Sequence, residues 1–330
     1  MTPIPVAESY PSFELAVKVL TVYAWPPLFV IGILGDIASF FISFQEQNRR
    51  ISTCVYVGAL AAADTLVVVN GMCLFIVIFH FYDEIQHKEF ALQWVAYWAN
   101  TYAMISGFFL VWMSIDRLVA VRFPMLAPSI CSTFRAKVTC VVTAALTMAC
   151  NLHLFFIYRI SPGDDTQLIP SVQGLPSLEV VSTIYFLMFG TILPFTIIVG
   201  CNVIIIVTLR EASVRRKTMT IGGGAGKTDQ ADTTHLTKML ILVFIVFVIC
   251  SIPNRLHYAL VNGVPSLVEV YTSGAVYWRL RAKLEYWSIQ ITWYLNHCVN
   301  FFLYCIGGGK RYRKDVRLLF RQILCIRTET

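Results

Sequence analysis

Charge is scarce along this chain, and it is gathered into patches. Seven stretches, at residues 19–45, 51–82, 90–115, 138–158, 180–209, 239–268 and 286–309, run almost entirely through apolar side chains. Each reaches the ~20 residues that cover about 30 Å of hydrocarbon as a helix. Hydrocarbon offers no water to satisfy backbone N–H and C=O groups, so every stretch is predicted to be helical. An odd number of spans puts the two ends of the chain on opposite sides of a bilayer. Met1–Pro11 is polar and the first apolar run is long enough to span, so no cleaved leader is expected.

Composition sharpens this picture. Of 330 residues, 57% are hydrophobic and 14% charged, against roughly 25% charged in a soluble chain. A soluble core cannot use that much apolar surface, and disordered, collagenous and coiled-coil classes are excluded by the same figures. The basic residues cluster at 49–50, 117–137, 210–238 and 310–327. Because basic loops stay cytosolic, the N-terminus is expected outside and the tail inside, in a multi-pass protein of the plasma membrane. The expected division is an extracellular N-terminus at 1–17, a seven-helix domain at 18–308, and a cytoplasmic amphipathic helix and tail at 309–330. The net charge of +7 reads as attraction to anionic lipid and acidic partners, not to nucleic acid.

None of the ten cysteines falls in the predicted extracellular segments 1–17, 83–90, 159–179 and 269–284. An extracellular disulfide is therefore not expected, and most of these thiols should pack as small hydrophobes. There is no Asn-x-Ser/Thr site for glycosylation. The longest cytosolic connection, about 211–235, contains Gly222–Thr228. That segment is similar to a phosphate-binding loop, but Ile221 stands where the motif needs glycine and a basic run precedes it. A flexible linker is the expectation.

A charge at the centre of a membrane helix costs at least ~2.5 kcal/mol and marks a functional position. Three stand out in the spans: Asp36, Asp64 and Arg255. Asp116-Arg117 closes the third span at its cytosolic end.

These residues sit in motifs that resemble those of the rhodopsin-like family of G-protein-coupled receptors. The first span reads Gly35-Asp36 where the family has Gly-Asn, and the second reads Leu60-Ala61-Ala62-Ala63-Asp64. The third ends Asp116-Arg117-Leu118, similar to Asp-Arg-Tyr, with Pro124 following. The fifth has Leu193-Pro194-Phe195. The sixth has Phe247-Val248-Ile249-Cys250-Ser251-Ile252-Pro253, similar to Phe-x-x-Cys-Trp-x-Pro, and the seventh has Asn296-x-x-x-Asn300-Phe301-x-x-Tyr304, similar to Asn-Pro-x-x-Tyr. The resemblance implies an all-α seven-helix bundle that couples an extracellular ligand to a heterotrimeric G protein. The wording Asn300–Cys305 is closest to invertebrate neuropeptide receptors, which implies a peptide ligand.

Several site residues follow from the resemblance. Asp116, Arg117, Phe247, Pro253, Asn300 and Tyr304 match its activation switch. An ion pair of Asp116 with Arg117 would hold the cytosolic face closed, and helices kinked by Pro194 and Pro253 would pivot to open it. Asp64, Ser106, Asn296 and Asn300 match a sodium pocket, where hard oxygen ligands suit a small cation; no other cofactor is implied. Asp36 adds a second carboxylate, and two like charges in a low-dielectric site disfavour double ionisation. A purely hydrogen-bonded cluster is the alternative reading.

For the ligand, alignment on the span motifs points to Asn100, Arg255, Tyr258, Tyr286, Gln290 and Tyr294. Arg255 suits a carboxylate or amide carbonyl, and the tyrosines offer amphipathic contact area. Alternatively, Arg255 snorkels outward or pairs with Glu285. Ala99 stands where amine receptors carry aspartate, and Tyr294 where opsins carry lysine. Other departures are Leu92 in place of the third-span cysteine, Ser251 for the sixth-span tryptophan, a fourth span without its tryptophan, and Phe301 for the seventh-span proline, which should leave that helix straighter.

A chemosensory receptor for a small organic molecule is the runner-up. A seven-helix transporter or ion pathway would also use intramembrane carboxylates, but it should show repeat-like halves and broken spans, which are not evident here. No zinc cluster or nucleophile–base set suggests an enzyme. Beyond Gly307-Gly308-Gly309, residues Tyr312, Val316, Leu319, Phe320 and Ile323 recur at helical spacing among basic residues. That pattern predicts an interfacial helix over 310–325, with Cys325 as a lipidation site.

Overall fold

The computed structural model describes residues 11–80, 89–157, 176–219, 227–263 and 276–326. All seven predicted spans are helical. Helix α1 runs from Pro11–Lys18 through a π turn at Val19–Ala24 into Trp25–Ser43. Next come α2 (Ser52–His80), α3 (Glu89–Arg122) and α4 (Thr133–Cys150), the last extended by turns at Asn151–His153 and Leu154–Ile157. Helix α5 comprises Pro176–Leu187, a π turn at Met188–Ile192, and Leu193–Met219. Helix α6 spans Lys227–Gly263, α7 runs over Val276–Cys298 and Asn300–Gly307, and α8 is Gly309–Ile326.

Five helices carry segments long and apolar enough to cross a bilayer: Leu15–Ser43, Ser52–Phe75, Gln93–Arg122, Thr133–His153 and Val181–Ala212. The apolar part of α6 is shorter, Ile241–His257. Helix α7 interleaves its apolar residues with Glu285, Gln290, Asn296, His297 and Asn300, so its hydropathy is diluted by the polar face it turns inward.

Both π turns have a common cause. Each lies just ahead of proline, Pro26-Pro27 in α1 and Pro194 in α5. A proline offers no N–H to the carbonyl one turn back, so the ladder widens there. Helix α6 takes Pro253 within its length.

The cytosolic connection between α5 and α6 differs from expectation. Residues 211–219 and 227–235 are helical continuations of α5 and α6, so the connection is shorter than the 211–235 expected. Residues 220–226, with the glycine run, lie outside the described residues, as do 158–175 and 264–275 from the outer connections. Helix α7 has a one-residue irregularity at Val299, through which the ladder continues: the Val299 N–H bonds the Leu295 carbonyl and the Leu303 N–H the Val299 carbonyl, each at 3.1 Å. His297 and Asn300 flank this residue and both bond Asp64.

Helix α3 is the axis of the bundle, packed on α2, α4 and α5. Its apolar segment is 56% buried, against 17% for α4 at the lipid-facing rim. The main core gathers Tyr56, Leu60, Phe109, Met113, Ile198, Val243 and Tyr304 from α2, α3, α5, α6 and α7. A second, aromatic core fastens α1, α2 and α7, with Trp25 against Phe29, Phe75, Trp287 and Tyr294 at centroid distances of 5.2–5.5 Å. Two glycines permit this: a Cβ on Gly32 would overlap Cys298, and one on Gly71 would overlap the Tyr294 ring. Outward-facing Leu34, Phe41, Val141, Leu146 and Ile249 remain exposed on the bundle surface, where a bilayer would cover them.

Candidate functional site

Asp64 lies at the meeting of α2, α3 and α7 and is fully buried. Its Oδ1 accepts from Ser106 Oγ at 2.6 Å and from His297 Nδ1 at 2.7 Å, and its Oδ2 accepts from Asn300 Nδ2 at 2.6 Å. Of the expected ion ligands, Ser106 and Asn300 are on the carboxylate. Asn296 lines a cleft farther out, and its neighbour His297 takes the place on the carboxylate. No sequence motif flagged His297. Asp36 is also fully buried, and among the described residues neither of its carboxylate oxygens has a hydrogen-bond partner. Among the described residues, no cluster of three or more His, Cys, Asp or Glu side chains is arranged to hold a metal ion.

Outward of this cluster a cleft enclosing about 430 Å³, its open mouth included, is lined by Gly107, Gly190, Phe195, Phe247, Ser251, Arg255, Trp293, Asn296 and His297 among others. The Arg255 guanidinium reaches inward across to α5, where a Cβ on Gly190 would lie 3.9 Å from its Nη1. Among the described residues expected to bind a ligand, Arg255 alone lines this cleft. Asn100 sits one turn outward of Ala103 on α3 and donates to the Ala96 carbonyl at 2.9 Å. Tyr286 bonds Gln290 and rests edge-on to Trp287 at 5.3 Å, on the outer part of α7. Tyr294 requires a correction: it is buried in the aromatic core against Trp25 and Phe29, facing α1 and α2 because Gly71 leaves it room. The Tyr258 side chain lies outside the described residues.

Near the C-terminal end of α3, Asp116 and Arg117 are both buried, with Nη2 to Oδ2 at 3.9 Å. Asp116 Oδ2 also accepts a 2.6 Å bond from Thr53 Oγ1 of α2. Tyr304 is 1% exposed and its hydroxyl has no hydrogen-bond partner among the described residues. Met125, beyond Pro124 in the loop after α3, is 91% exposed.

Helix α8 docks on the first cytosolic turn through its one acidic residue in the basic run 310–321. Asp315 is 3% exposed and accepts from Asn48 Nδ2 at 2.9 Å and from Gln47 Nε2, while Gln45 Nε2 bonds its backbone carbonyl at 3.2 Å. Tyr312 meets Ser39 at 3.3 Å, and burial raises its phenol above the ordinary range. The helix extends over the predicted 310–325; the Cys325 side chain lies outside the described residues. Among the described residues no cysteine is in a disulfide. A further polar knot that the sequence did not signal joins α3, α4 and α5: Asn151 donates to Thr101 at 3.1 Å and accepts from Tyr185 at 3.1 Å.

Seven helices, an intramembrane carboxylate cluster, an outward cleft and a cytosolic Asp-Arg pair define a membrane receptor. The model of the 7 transmembrane receptor (rhodopsin family) matches residues 37–304, and the chain belongs to that family. Similar proteins include the N-arachidonyl glycine receptor of Macaca fascicularis, 22% identical over 78% of this chain and 74% of the relative. The G-protein coupled estrogen receptor 1 of Danio rerio is 23% identical over 89% of this chain and 77% of its own. The FMRFamide receptor of Drosophila melanogaster is 26% identical over 89% of this chain, which spans 53% of that longer protein. The protein is a multi-pass G-protein-coupled receptor that converts ligand binding into G-protein activation; its family is one of receptors, not enzymes.

Proposed function

We propose that the receptor sits in the plasma membrane, N-terminus outside and tail in the cytosol, and answers to an extracellular neuropeptide. The observation that carries this reading is Arg255, a charged side chain in the lining of the outward cleft. A guanidinium there offers paired donors to a peptide carbonyl or carboxylate. Asn100, Tyr286 and Gln290 lie outward on α3 and α7, along the approach to the cleft, and Tyr258 follows Arg255 by three residues on α6. Tyr294 backs the site through its aromatic core. The relative named for FMRFamide supports a peptide amide as the first class to try.

On the inner face, Arg117 contacts the G protein once Asp116 releases it, with Phe247, Pro253, Asn300 and Tyr304 along the path from cleft to cytosol. Met125 adds an apolar contact. Residues 309–330 form the cytoplasmic helix and tail, and Cys325 is acylated where α8 meets the membrane.

A small amphipathic acid is the second reading. The cleft pairs Arg255 with apolar walls of Phe195, Phe247 and Trp293, and one relative is named for N-arachidonyl glycine. Cells expressing the receptor, screened with a peptide library and with N-acyl amino acids under calcium and cyclic-AMP readouts, separate the two. A peptide response supports the first reading, and a response only to the acids supports the second. Ion-dependent flux without nucleotide exchange would refute both.

A further inference from the structure

The family resemblance implies sodium on Asp64, and the residues around that carboxylate test the implication. A small hard cation is held by oxygen lone pairs. The three groups that reach Asp64 present hydrogens instead, from the Ser106 hydroxyl, the His297 ring and the Asn300 amide. Together they engage both carboxylate oxygens at 2.6–2.7 Å. Asn296, the amide expected to complete an ion's shell, lines the outer cleft beside Ser251 and Arg255. This donor set does not fit sodium.

We propose that His297 takes the place of the ion: its ring N–H is a chain-borne partner for Asp64, and the receptor does not respond to sodium at this site. His297 is also shared between two sites. The same ring lines the cleft, edge-on to Trp293 at 5.3 Å. Ser251, small where the family has tryptophan, borders the cleft beside it. A ligand group that moves this ring therefore acts directly on the tie between α2, α3 and α7, with no ion to release. The inference stands on these contacts and does not depend on which ligand fills the cleft.

The test uses purified full-length receptor, its thermal unfolding compared in sodium chloride and choline chloride at matched ionic strength, with basal nucleotide exchange on added G protein as a second readout. The wild type should melt at the same temperature in both salts. His297→Ser removes one of the two donors on Oδ1 and supplies a hydroxyl lone pair, so its melting temperature should rise specifically with sodium and its basal exchange should change. A saturable, sodium-specific rise in the wild type that Asp64→Asn abolishes would overturn the proposal. So would the same rise abolished by Asp36→Asn, which would place a cation on the unpartnered carboxylate. A folded His297→Ser variant blind to sodium would also refute it. If that variant does not fold, the wild-type comparison with its Asp64→Asn control decides.

Discussion

Met239 of α6 lies against Gly307 of α7 so closely that a Cβ on the glycine would fall 2.6 Å from the Met239 Cα. The cytosolic ends of the two helices are thus in backbone contact, which is a closed arrangement. Gly307→Ala has to push α6 away from α7, since backbone cannot yield as a side-chain tip can. The expected result is raised basal nucleotide exchange and a lowered melting temperature in the absence of ligand. Unchanged basal exchange in a well-expressed variant would show that the contact does not restrain opening.

Thr53 and Arg117 share the Asp116 carboxylate, through a 2.6 Å hydrogen bond and a 3.9 Å ion pair. Thr53→Val removes the hydroxyl and keeps the shape, at a cost of about 1.5–3 kcal/mol for a bond to a charged group. That loss weakens the hold on the closed face, so basal exchange should increase. Arg117→Ala should abolish stimulated exchange while surface expression persists. Stimulated signalling that survives Arg117→Ala would remove this residue from the G-protein interface.

Arg255 is the proposed ligand anchor. Once a ligand is in hand, Arg255→Ala should weaken binding by ~1.5–3 kcal/mol, about 10- to 150-fold. Arg255→Lys should recover only part of it, because an ammonium lacks the planar fork. Competition binding on membranes with matched receptor density measures both; equal affinity in all three forms would return Arg255 to a structural role.

Asp315 joins α8 to the turn after α1 through Asn48 and Gln47. Asp315→Ala leaves the buried Asn48 amide short of an acceptor, and the expected destabilisation is about 1–3 kcal/mol. Spin labels along 310–325 should report a helical period in membrane depth in the wild type and its loss in the variant. A uniform, water-exposed profile in the wild type would end the interfacial assignment of α8.

The Tyr304 hydroxyl is buried without a hydrogen-bond partner among the described residues, which costs on the order of 1–3 kcal/mol in this conformation. Tyr304→Phe should therefore raise the melting temperature of the ligand-free receptor. It should also lower stimulated exchange if the hydroxyl finds its partner in the open state. A lower melting temperature would show that the hydroxyl is already satisfied.

The order and approximate extent of the helices were legible in the residues alone. A bilayer demands a run of apolar side chains and internal backbone bonding, and both are properties of consecutive positions. The amphipathic period of α8 and the motifs around Asp64, Asp116 and Tyr304 were legible for the same local reason. The rotation of each helix was not. Whether Asn296 or His297 faces Asp64, and whether Tyr294 looks into the cleft or into the core, turns on about 100° of helix rotation. Close approaches at Gly32 and Gly71 accompany the observed rotation of α7. Likewise Asp315 reads in sequence as one acid in a basic helix, and only the fold brings Gln47 and Asn48, more than 260 residues earlier, to its carboxylate. Local chemistry determined what crosses the membrane; packing between distant helices decided which polar groups meet inside it.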